Sequence, residues 1–144
     1  MIVRGITIHN TGNGKSAREL FDDLYEHNGL RLCHFLVDEQ DIIQTIPLSE
    51  CAEHTGKGYD LGNLHTIAIE ICRSTSDENL YMKAQEKAID LIKALMWDYE
   101  LTTNNLYFHN DFNKQTYCPH RILQIYGSKM NFIKEVFYGN SIYG

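Results

Sequence analysis

The stretch Thr66-Ile67-Ala68-Ile69-Glu70-Ile71-Cys72 decides the fold class. Its β-branched residues alternate, so a strand here turns Ile67, Ile69 and Ile71 to one side and Ala68, Glu70 and Cys72 to the other. Two further segments repeat that division. Residues 2–9 set Ile6 and Ile8 against Thr7 and His9, and residues 105–109 set Leu106 and Phe108 against Tyr107 and His109. Each strand joins an apolar face suited to helices to a face carrying His9, Glu70 or His109. The two histidines also fall at or beside strand ends, where loops begin and sites are commonly built.

The segments between these strands read as helices and turns. Ser16 opens a helix reaching residue 25, with Glu19 three positions on to complete a capping box. Residues 31–37 read as a second strand. The polar turn 38–41 leads from it into 42–46, which predicts a hairpin. Residues 47–63 are irregular and contain glycine, a length that suits a functional loop. Ser76 or Asp77 caps a long amphipathic helix to about residue 99. Its apolar stripe runs through Leu80, Ala84, Ala88, Leu91, Ile92, Leu95 and Met96. A last helix is expected over 130–137. The whole reads as α/β: a single domain over 1–144 with a central mixed β-sheet flanked by helices.

Composition agrees and excludes several classes. The chain has 144 residues, 43% apolar and 22% charged, which suits one domain with a real core and rules out disorder. No apolar run approaches the roughly 18 residues that a membrane span needs. The amino terminus lacks a basic flank and an apolar signal core, so no export signal is expected. With 13 basic against 19 acidic side chains the formal charge is −6, which argues against nucleic-acid binding and gives no attraction to anionic walls or lipid. The four cysteines have no CxxC spacing, so a disulfide framework is not expected and a reducing compartment fits better.

Cys118 stands nine residues after His109 and directly before Pro119. Two imidazoles and one thiolate make a three-ligand zinc set with a fourth position open to water, and a nearby carboxylate that is not a ligand can serve as general base. Two other readings stand beside this one. Half-buried histidines and a solvent-facing glutamate also occur on ordinary antiparallel sheets. A cysteine peptidase would use Cys118 as nucleophile with His109, but Pro119 removes a backbone amide and no third group suggests itself.

Six motifs taken in order resemble the type-2, zinc-dependent N-acetylmuramoyl-L-alanine amidases, the group of phage endolysins, bacterial autolysins and peptidoglycan recognition proteins. They are Ile6-Thr7-Ile8-His9-Asn10-Thr11, Cys33-His34-Phe35-Leu36-Val37-Asp38, Ile42-Ile43-Gln44-Thr45-Ile46-Pro47-Leu48, Glu53-His54-Thr55-Gly56, the strand around Glu70, and His109 through Cys118-Pro119. The resemblance implies a fold like that of peptidoglycan recognition proteins, one Zn2+ per chain held by His9, His109 and Cys118, and Glu70 as catalytic base. The implied reaction is hydrolysis of the amide between N-acetylmuramic acid and the L-alanine of the stem peptide. Many members carry a tyrosine where this chain has Cys33; those typically lack the strand glutamate, so Cys33 reads as a small buried hydrophobe. Many bacterial and phage relatives place a lysine where Thr116 stands, which makes Thr116 the catalytic hydroxyl toward the oxyanion, with Lys114 as a substitute from the same loop. His54 matches a groove position and is expected to contact substrate.

The implied partner is bacterial peptidoglycan, with no nucleic acid and no membrane span. A separate wall-binding domain is expected in the full-length protein on account of the acidic charge. The enzyme would wait in the cytoplasm until released to the wall. The alternative function is a non-catalytic module that binds muropeptide without cutting it. His34 is expected to make a buried structural hydrogen bond, and Cys51 and Cys72 to be small packing residues.

Overall fold

Strands β1 (Gly5–Asn10), β2 (Phe35–Val37), β3 (Ile42–Gln44), β4 (Thr66–Ile71) and β5 (Leu106–Phe108) form one sheet in the order β3-β2-β4-β1-β5. The structure, a computed structural model, describes residues 1–139; residues 140–144 of the expected domain lie outside the described residues. β1 runs parallel to both β4 and β5, β2 runs parallel to β4, and only the β2–β3 hairpin is antiparallel. The sheet is therefore mixed, as the strand and hairpin signals predict. The register sets His9 opposite Glu70, and Thr7 opposite both Ala68 and Tyr107. Period-two alternation then turns His9 and Glu70 to the same face at the carboxyl ends of neighbouring parallel strands.

The two faces bury different material. Ile6, Ile8, Ile67, Ile69, Ile71, Leu106 and Phe108 pack with Tyr81, Ala84, Ala88 and Ile92 of the long helix α3 (Glu78–Asp98). Ile122 of α5 (His120–Tyr126) and Phe132 of α6 (Lys129–Ile133) complete that core. On the other face a second cluster of Leu36, Ala68 and Cys72 meets Ala17, Leu20, Phe21 and Leu24 of α1 (Ala17–Glu26). The face that carries the polar groups is thus covered over part of its extent, and the site occupies what α1 leaves open. Caps fall where the sequence puts them. Ser16 and Glu19 form the capping box of α1, and Asp77, of the two candidates, accepts from the Leu80 amide at the start of α3.

Four elements differ from the expectation. Of residues 31–37 only Phe35–Val37 pairs, because Leu30–Leu32 forms a 3-10 turn and His34 meets β4 partly through its side chain. The His34 amide donates to the Ala68 carbonyl (2.9 Å), while its Nδ1 accepts from the Ala68 amide (2.9 Å) in place of a backbone oxygen. His34 Nε2–H then donates to the Glu50 carbonyl at 2.9 Å, the expected buried structural role. Within the stretch read as irregular, α2 (Leu61–His65) forms under an Asp60 cap. His109 does not extend β5; it opens the one-turn helix α4 (His109–Phe112), in which Asp111 accepts from the Phe108 amide. The last helix is split, with α6 passing into a π-helical turn over Lys134–Tyr138. Cys72 is fully buried as expected, whereas Cys51 is exposed and packs into neither core.

Asn10 ties β1 to the carboxy-terminal half. Its Oδ1 accepts from the amides of Arg121 (2.8 Å) and Ile122 (3.2 Å), two of the donors that the start of α5 would otherwise leave unpaired, and its Nδ2 donates to the Tyr81 hydroxyl (3.0 Å). The network continues from Tyr81 to Gln85 and from Gln85 to Tyr126. Asn10→Ala is expected to destabilise the fold by about 2–3 kcal/mol, since it strands buried donors. Urea unfolding of the two proteins checks this; a change under about 0.5 kcal/mol would contradict it.

Candidate metal centre and active site

Four elements deliver the site. His9 comes from the end of β1, Glu70 from β4 beside it, His109 from the first position of α4, and Cys118 from the loop before α5. The donor atoms of His9, His109 and Cys118 all lie within 4.8 Å of one another. His9 Nδ1 is 3.7 Å from Cys118 Sγ, close to the edge of about 3.5 Å that one imidazole nitrogen and one thiolate span around a tetrahedral zinc. The loop carrying Cys118 is held in place by Asn10 on one side and by the Asn110 amide, which donates to the Cys118 carbonyl (3.0 Å), on the other. These three side chains can hold one metal ion and leave a coordination position free.

Glu70 completes the constellation without belonging to it. Its Oε1 is 4.0 Å from His9 Nδ1, while Oε2 is buried with no hydrogen-bond partner. Burial alone pushes its carboxyl from the ordinary 4.5 up to about 7. The Glu70 side chain is 23% exposed, and a cavity of about 200 Å3 beside it is lined on one side by Leu20, Leu24, Leu32, Leu36 and Cys33 and on the other by residues 10–13. Burial, with His54 and His109 nearby, holds His9 well below the usual imidazole range, so at neutral pH its ring is uncharged and has a lone pair to offer. Burial pushes the Cys118 thiol up to about 12, with Glu70 adding to it. A cation is what would reverse that, since a coordinating thiol gives up its proton.

Of the remaining residues singled out in the sequence, Thr116 is partly buried two positions before Cys118, in a turn closed by its own amide donating to Asn113 O (3.2 Å). Lys114 is exposed in the same turn. His54, the expected groove contact, lies against His9. It is only 7% exposed, and both ring nitrogens are used inside the protein, Nδ1 with His9 Nε2 (2.9 Å) and Nε2 with the Gly62 carbonyl (3.0 Å). Burial lowers its pKa to about 4. Both ring nitrogens are thus engaged within the protein. Cys33 is buried, and burial drives its thiol pKa upward, which suits a packing role. Sequence reading gave no role to Gly62 and Asn63 and quoted Thr55 only within a motif, since the part they play belongs to backbone carbonyls and one amide side chain.

The sequence of residues 1–121 matches the N-acetylmuramoyl-L-alanine amidase family of type 2. The chain belongs to that family. The N-acetylmuramoyl-L-alanine amidases CwlA and XlyB of Bacillus subtilis (strain 168) are each 38% identical over 119 residues, 82% of this chain. Those matches take in 43% of CwlA and 37% of XlyB, so the chain spans less than half the length of these relatives. The solved structure of PlyL superposes with a TM-score of 0.85 at 34% identity, covering 94% of this chain and 84% of that one. The mixed five-stranded sheet flanked by helices is therefore the architecture of this family's known structures.

The buried carboxyl gives a test of the site's polarity in the metal-free protein. A pKa raised on folding means that the stability present below the unfolded value of 4.5 is lost as pH rises through about 7. Glu70→Gln removes that loss. The metal-free variant should unfold at higher urea than the metal-free parent at pH 8, by on the order of 2 kcal/mol, and the gap should shrink toward zero at pH 4.5. A gap independent of pH would contradict the burial of Glu70.

Proposed function

We propose that this chain is the catalytic domain of a peptidoglycan amidase, spanning 1–144, that binds one Zn2+ through His9, His109 and Cys118. The reaction is hydrolysis of the amide between N-acetylmuramic acid and the L-alanine of the stem peptide. The observation that carries this reading is the convergence of two imidazoles and a thiol on one point with a separate buried carboxylate beside them. That donor set fits zinc: soft sulfur plus imidazole, three protein ligands, and an open position. Family membership supplies the substrate class.

Zinc, when bound, supplies a Lewis acid that acidifies water and polarises an amide carbonyl. The rest is done by the chain. Glu70 takes the proton of the attacking water at Oε1, the oxygen nearer the ligand set, and returns it to the leaving nitrogen. The water oxygen ends on the lactyl carboxylate of the sugar and the proton on the free amine of L-alanine, so one water is consumed per bond cut. The leucines on one side of the cavity beside Glu70 limit the solvation of its carboxylate and so keep it basic. Thr116 is assigned the hydrogen bond to the developing oxyanion, with Lys114 as the substitute in the same turn.

Peptidoglycan is then the partner, and a wall-binding domain in the remainder of the protein would supply the surface attraction that a charge of −6 does not. Among the described residues no helix is long and apolar enough to cross a membrane. Storage in the cytoplasm until release to the wall is the accompanying expectation.

Purified peptidoglycan tests this reading through the appearance of new amino-terminal L-alanine. Release should be abolished by a chelator and restored by zinc. Glu70→Ala should lower turnover by at least about 100-fold while zinc binding persists. Muropeptide binding without release, zinc being bound, would instead make the chain a recognition module.

A further inference from the structure

Both histidine ligands lean on the same two-residue segment. His9 Nε2 meets His54 Nδ1 at 2.9 Å, and His109 Nε2 meets the carbonyl of the next residue, Thr55, at 3.2 Å. The direction of these bonds follows from the acceptors. The Gly62 carbonyl can only accept, so His54 carries its proton on Nε2 and presents a lone pair at Nδ1. His9 must then donate from Nε2, which leaves the His9 lone pair on Nδ1, the atom 3.7 Å from Cys118 Sγ. The Thr55 carbonyl fixes His109 in the same way, with its proton on Nε2 and its lone pair on Nδ1.

The segment itself is clamped by one side chain. Asn63 Oδ1 accepts from the amides of His54 (2.8 Å) and Thr55 (3.0 Å), while its Nδ2 donates to the Gly58 carbonyl (2.7 Å). Asn63 is 4% exposed and sits in the short α2 beneath the Asp60 cap. Gly62 next to it has no room for a side chain, since a Cβ there would stand 2.4 Å from Thr55 Cγ2. The Gly62 carbonyl also accepts from the Thr66 hydroxyl (2.8 Å), which joins the clamp to the first residue of β4.

We infer that Asn63 is a positioning residue for the metal: by clamping His54 and Thr55 it sets the tautomer and ring orientation of both histidine ligands at once. The inference rests on the zinc centre proposed above. It makes the Glu53-His54-Thr55-Gly56 motif part of the metal site's support, although none of its side chains belongs to the ligand set. Partners of this kind typically contribute 10–100-fold in metal affinity.

Two measurements test it. In the metal-free parent, long-range 1H–15N correlation spectra should show His9, His54 and His109 all with the proton on Nε2. A His9 ring protonated on Nδ1, or a mixture of tautomers, overturns the inference without any variant being made. Zinc affinity, read by competition with a chromophoric chelator, should fall about 10–100-fold in Asn63→Ala and in His54→Ala. Asn63→Asp keeps an acceptor for the two amides but sets its second oxygen against the Gly58 carbonyl, so it should recover only part of the loss. Parent-like affinity in Asn63→Ala, with the fold confirmed by circular dichroism, overturns the inference while leaving the zinc centre intact. Failure of the parent itself to bind zinc would instead remove the reading on which it rests.

Discussion

The parallel pairing of β1 with β4 on one side and β5 on the other is the constraint on which the rest depends. Parallel strands end together, so His9 of β1, Glu70 of β4 and His109, which follows β5, all lie at one edge of the sheet. The register makes the match specific, because His9 stands opposite Glu70 and a slip by one residue would put Ile71 or Ile69 there instead. Such a slip would also turn Ile67, Ile69 and Ile71 away from α3, so the packing that stabilises the fold is the same packing that aligns the site. Close approach of β1 to β5 is part of this: at Gly5 a Cβ would lie 2.6 Å from the Tyr107 ring and 2.7 Å from the Asn105 carbonyl.

What alternation can encode was legible in the sequence. The faces of β1, β4 and β5, the caps at Ser16 and Asp77, and the shared face of His9 and Glu70 follow from period-two and period-3.6 patterns, whereas His109 reaches the site from the first turn of α4. Cys118 entered through its residue type and its nearness to His109, which completed a three-ligand set with the two histidines, and the family resemblance implied the same three residues. Features that depend on backbone carbonyls or on one side chain replacing another were not legible. His34 standing in for a ladder acceptor shortened β2, and α2 formed in a stretch with no hydrophobic period, under an Asp60 cap. The same holds for the partners of His54, whose hydrogen bonds to His9 Nε2 and the Gly62 carbonyl leave no pattern in the sequence.

The site's electrostatics form one arrangement. Burial makes a charged imidazole, a thiolate and a carboxylate each costly in the metal-free chain, and the shifts of His9, Cys118 and Glu70 all run toward the neutral form. A divalent cation held by His9, His109 and Cys118 would offset the cost of a thiolate and of the nearby carboxylate, and would find the imidazoles neutral. The donor set of His9, His109 and Cys118 is what would favour a metal there, with the Glu70 carboxyl 4.0 Å from His9 Nδ1.

X-ray absorption at the zinc edge of the loaded protein tests the central claim most directly. The account predicts one sulfur at about 2.3 Å, two imidazole nitrogens at about 2.0–2.1 Å and one further light atom. The sulfur shell should vanish in Cys118→Ser. A spectrum with no sulfur, or with two, would contradict the assignment of His9, His109 and Cys118 as the metal centre.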